Sequence, residues 1–68
     1  MKNYSIFKGI TELRGDASTF RIEGSKVFEK RDNDFLFIGY LPTANYRSNI
    51  ILYEAACDLS AKRRREGL

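Results

Sequence analysis

The stretch FLFIGYLP, residues 35–42, constrains this chain more than any other. Strict alternation divides it into Phe35, Phe37, Gly39 and Leu41 on one face and Leu36, Ile38 and Tyr40 on the other, both apolar. A strand that is apolar on both faces is either covered on both or uses one face for binding. Pro42 cannot donate to a ladder and ends the strand.

Two further strand regions precede it. Residues 4–11, YSIFKGIT, are rich in β-branched and aromatic side chains, as a first strand should be. RGDAS at 14–18 carries turn chemistry and closes that strand; the RGD tripeptide within it has no extracellular companion feature and carries no weight. Residues 19–31, TFRIEGSKVFEKR, are interrupted at EGS by a turn or a bulge. DND at 32–34 reads as a hairpin turn, because Asp and Asn tolerate left-handed backbone. Thr43 suits the N-cap of a helix from about residue 44 to about residue 64, ending near Gly67. The predicted fold is α+β, a three-stranded antiparallel sheet packed against one C-terminal helix (β-β-β-α). The sheet occupies about residues 4–41, and a basic tail occupies 62–68.

A chain of 68 residues, 43% hydrophobic, makes one small folded domain over residues 1–68. Cys57 is the only cysteine, so an intramolecular disulfide is excluded and a reducing compartment is expected. The N-terminus lacks the apolar run of a signal peptide and no segment reaches membrane-spanning length, so the expectation is a soluble, cytoplasmic protein with no membrane partner. The chain has no histidine, which removes the commonest general base, the Ser-His and Cys-His nucleophile pairs and most zinc sites. Glu12, Glu23, Glu29 and Glu54 show no spacing that singles out an acid–base pair. DND lacks the downstream glycine and glutamate of a calcium loop, and no glycine-rich phosphate loop is present. A non-enzyme is expected, with no catalytic residue, metal or cofactor.

On a helical wheel the C-terminal segment carries two apolar stripes. One holds Ala44, Ser48, Ile51, Leu52, Ala55 and Leu59 and suits a sheet. The other holds Tyr46, Ile50, Tyr53 and Cys57, roughly opposite. A helix lying on one sheet needs only one such stripe. Either the N-terminal MKNYSIF folds back over the second, or it is an association surface that would give a two-fold dimer or seat a partner. The segment ends in AKRRREGL. The charges of residues 1–61 balance, so the net +3 sits wholly in 62–68. Four successive cations, Lys62, Arg63, Arg64 and Arg65, either complement the helix dipole at a solvated end or contact phosphates.

Read together, FKGIT (7–11), FIGYLPTA (37–44) and YEAA (53–56) resemble the plant ethylene-response-factor DNA-binding domain and its relatives in phage homing endonucleases and at the N-termini of tyrosine recombinases. The resemblance spans most of residues 7–57. It implies a three-stranded sheet on one helix, with the exposed sheet face entering the DNA major groove. It also places Lys8 at the basic position after the opening aromatic and Thr11 where the family often has arginine. Phe35 falls where an arginine is expected, and Phe37 stands at a tryptophan position. The chain has no tryptophan at all, so the family's base-reading groups are not reproduced.

Two partners fit this reading. The first is duplex DNA, bound through Lys8, Thr11, Arg21, Lys26, Lys30, Arg31, Phe35 and Phe37 on the sheet and its turns, with Lys62, Arg63, Arg64 and Arg65 as a phosphate clamp. The second is a larger protein, bound in the manner of a small phage-type accessory or inhibitor factor through Tyr46, Ile50, Tyr53 and Cys57 and exposed aromatics.

Overall fold

The computed structural model describes residues 3–7, 9–16, 18–42 and 46–67, and of Asn3 and Phe7 the backbone alone. Its elements are β1 (Asn3–Phe7), β2 (Ile10–Arg14), β3 (Thr19–Glu23), β4 (Lys26–Arg31), β5 (Asp34–Tyr40) and α1 (Asn49–Arg65). The strands form one antiparallel five-stranded sheet in the order β1-β2-β3-β4-β5. The class is α+β as expected, but the expected three-stranded sheet is corrected to five strands. Two glycines account for the difference. Gly9, at φ 78°, turns the chain inside YSIFKGIT, so that stretch folds into β1 and β2. Gly24, at φ 62°, opens a two-residue hairpin, so EGS is a full reversal and separates β3 from β4. Only glycine takes such backbone angles without steric cost.

Directly opposed residues of an antiparallel pair point to the same face. One face buries Leu13, Phe20, Ile22, Val27 and Ile38 under the helix, with Leu41, Tyr53 and Ala56 completing the core. The other face is open. In β5 the pairing shifts: Val27 opposes Gly39 while Phe28 opposes Phe37, leaving Ile38 as the extra residue of a bulge. Strict alternation along FLFIGYL therefore fails. Phe35, Phe37 and Tyr40 share the open face, whereas Leu36, Ile38 and Leu41 turn toward the helix side. Gly39, at φ 140°, sits in the bulge with Leu59 against it; a Cβ there would lie 3.3 Å from both Leu59 methyl groups.

Thr43 and Ala44, the expected helix start, lie outside the described residues. α1 begins at Asn49, capped by Ser48, whose Oγ accepts the Ile51 N–H at 3.3 Å. The helix lies on the sheet along Tyr53, Ala56 and Ser60, with Leu52, Ala55, Leu59 and Cys57 half-buried at its flanks. This line joins Tyr53, from the second apolar stripe, to Ala56 and Ser60, which belong to neither stripe and are small enough to let the helix approach. Ile51, assigned to the sheet-facing stripe, is 44% exposed. Among the described residues no helix is long and apolar enough to cross a membrane.

Candidate nucleic-acid interface

The open face divides into two halves. Across β2 and β3 Arg14 Nη1 donates to Glu12 Oε1 at 3.0 Å and Arg21 Nη2 lies 3.7 Å from Glu12 Oε2, while Glu23, directly opposite Lys26, has no ion-pair partner among the described residues. Across β4 and β5 it holds only Lys26, Phe28, Lys30, Phe35, Phe37 and Tyr40, with no carboxylate. Lys26 stands opposite Tyr40, Phe28 opposite Phe37 and Lys30 opposite Phe35. Phe28 meets Phe37 edge-to-face at 5.6 Å between centroids, and Phe37 meets Tyr40 at 5.3 Å. The Arg21 guanidinium reaches across from β3 to lie 4.0 Å above the Phe35 ring. Among the described residues neither Lys26 nor Lys30 has an ion-pair partner, and both are exposed. Tyr40 is 60% and Phe37 40% exposed, so aromatic surface meets solvent between unpaired cations.

The helix side carries a buried carboxylate. Glu29, 1% exposed, opposes Phe20 in the ladder and faces the helix. It accepts from Ser60 Oγ at 2.9 Å, Ser18 Oγ at 3.0 Å, Arg31 Nη2 at 3.2 Å and Arg64 Nη2 at 3.3 Å. Burial by itself pushes this carboxyl up, but the hydrogen bonds from Ser60, Ser18 and Arg31, with the Arg31 charge, outweigh it and hold the group below its ordinary value.

The expected binding residues are therefore dispersed. Arg21, Lys26, Lys30, Phe35 and Phe37 come together on the open face. Arg31 does not: it turns to the helix side and binds Glu29. Thr11, opposite Ile22, is also on the helix side and half-buried. Lys8 lies outside the described residues. Within the basic run, Arg64 is held by Glu29, and Arg63 is half-buried with its Nε enclosed and unpartnered among the described residues. Lys62 and Arg65 remain exposed and line a groove of about 390 Å³ with Tyr40, Leu41, Pro42 and Asp58 at the β5 edge.

The expected association stripe is divided as well. Tyr53 is buried: its hydroxyl donates to Ser18 O at 3.0 Å and accepts the Ser18 N–H at 3.1 Å, and its ring meets Phe20 edge-on at 5.4 Å. Tyr46 and Cys57 pack half-buried against the core, and burial pushes the Cys57 thiol up. Ile50 alone stays outside, at 59% exposure.

Sequence reasoning missed Phe28, Tyr40 and Glu29. Phe28 was legible from the alternation Lys26-Phe28-Lys30. Glu29 was legible as a charge in phase with Val27. Tyr40 was not, because its face depends on the bulge. Comparison with protein-family models, with curated proteins and with solved structures finds nothing that matches this chain.

Proposed function

We propose that the protein is a non-enzymatic nucleic-acid-binding module working through the β3–β5 half of its open sheet face. The observation that carries this reading is the grouping of Arg21, Lys26 and Lys30 around Phe28, Phe35, Phe37 and Tyr40, the carboxylates nearest them on this face, Glu12 and Glu23, standing on β2 and β3 and none on β4 or β5. Lysines bind phosphate as point charges, and aromatic faces accept bases, so this combination suits a polyanion carrying planar rings. Lys62 and Arg65, around the β5 edge, add phosphate contacts.

The test is binding to mixed-sequence oligonucleotides, single-stranded and duplex, as a function of salt. The logarithm of affinity should fall linearly with that of salt. Lys26→Gln with Lys30→Gln should reduce the slope by roughly 1.4–1.8. No binding at low salt, or an unchanged slope in the double variant, refutes the reading.

A second reading, a protein partner, rests on Ile50 and Ile51, exposed side by side at the start of α1. Its test is Ile50→Asp, which should leave the fold intact and abolish self-association or partner binding if those residues form the contact.

A further inference from the structure

We infer that the ligand of the open face is a single strand rather than a duplex, threaded over Phe37 and Tyr40 and around the β5 edge to Lys62 and Arg65. This rests on the nucleic-acid reading and narrows it to a substrate class.

The first argument is width. Five strands have four intervals of about 4.8 Å, so the sheet is roughly 19 Å across between its outer strands. The major groove of B-form DNA is about 12 Å wide. A three-stranded sheet, about 10 Å across by the same spacing, could enter face-on. The β3–β5 half is itself three strands wide, but β2 and β1 continue the same sheet beyond β3, so that half cannot enter a groove face-on without carrying them in with it.

The second argument is ring spacing. The Phe37 and Tyr40 rings lie 5.3 Å apart between centroids and at 75° to one another, whereas stacked bases along one strand of a duplex are parallel with a rise of about 3.4 Å. Bases that lie on successive rings of β5 must therefore be unstacked and splayed, which a single strand does readily and a duplex does not. The bulge at Ile38 assists by bringing Tyr40 to the same face as Phe37.

The third argument is the path of charge. Lys26 flanks Tyr40 on the sheet, and Tyr40 also lines the edge groove that holds Lys62 and Arg65. A backbone crossing the rings thus leaves the sheet between cations. Asp58 is the one carboxylate lining that groove among the described residues, and on the sheet Glu23 stands across Lys26 from Tyr40.

Single-stranded RNA and DNA share this chemistry, and the experiment separates them. Fluorescence anisotropy at physiological salt would compare an oligo-deoxythymidine, an oligo-uridine of equal length and a duplex of that length. Either single strand should bind tighter than the duplex, and the ratio between the two assigns DNA or RNA. Tyr40→Ala should weaken single-strand binding by about 5- to 150-fold, the range for removing one stacked base. Tyr40→Phe should retain it, and circular dichroism should show both variants folded, since Tyr40 is 60% exposed. Phe37→Ala, provided it melts as a folded protein, should act like Tyr40→Ala. Duplex bound as tightly as single strands, and lost in Lys26→Gln with Lys30→Gln but not in Tyr40→Ala, overturns this inference and leaves the nucleic-acid reading standing. No binding to any of the three probes overturns both.

Discussion

Replacing Glu29 with glutamine keeps the shape of the side chain and removes its charge. Glutamine can still accept at one oxygen, but its amide now places a donor among the donors of Ser18, Ser60, Arg31 and Arg64. Hydrogen bonds to charged groups contribute about 1.5–3 kcal/mol each. The two arginine terms must be discounted, because their side chains are 47% and 64% exposed and water screens them. The expected cost at neutral pH is therefore about 2–4 kcal/mol. A domain of this size has a total stability of only about 3–10 kcal/mol. Thermal unfolding followed by circular dichroism should show Tm lowered by on the order of 10–25 °C. The pH dependence supplies a second check. The folded-state pKa of Glu29 lies below its ordinary value of 4.5, so its contribution is complete above that pH and is lost as pH falls through the folded value. Wild type and Glu29→Gln should thus converge in acid. Equal stability at neutral pH, or a gap that stays constant on acidification, refutes the reasoning.

Tyr53→Phe removes the hydroxyl that both donates to and accepts from the Ser18 backbone, and should cost about 1–3 kcal/mol in urea unfolding with the slope unchanged. Gly39→Ala combines a strained φ of 140° with a Cβ against Leu59, and should lower the urea midpoint by an amount equivalent to about 1–3 kcal/mol. Arg64→Ala should destabilise the fold through Glu29, whereas Arg65→Ala should leave the melt unchanged and reduce the salt slope of nucleic-acid binding by roughly 0.7–0.9.

The order of strands before one helix was legible in the sequence because alternation and turn residues are local signals. The number of strands was not, since KG and GS can continue a strand or reverse it, and only the backbone angles at Gly9 and Gly24 decide. The open face was half legible. Arg21, Lys26, Lys30, Phe35 and Phe37 were all named, but the bulge at Ile38 changes the phase of β5, and no composition rule reveals which residue is extra. The helix misled for a different reason. Its sheet-facing line includes Ala56 and Ser60, which a search for large apolar stripes passes over, and Ser60 faces inward because Glu29 is there to accept from it.

The meander also has a kinetic consequence. Every strand pairs with its neighbour in sequence, so each hairpin closes a short loop and can form early and fast. The bonds that fasten the helix are of another kind: Tyr53 to Ser18 and Arg64 to Glu29 each span 35 residues. A transition state built from hairpins would contain the ladder but not yet the docked helix. Substitutions at Tyr53, Ser60 or Arg64 then accelerate unfolding while leaving the refolding arm of a chevron plot nearly unmoved, whereas changes in the β3–β4 turn slow refolding. In that order of events Glu29 becomes dehydrated only in the last step, so until the helix closes over it the half-formed sheet keeps a solvated charge beside Phe20 and Val27 on the face the helix will cover.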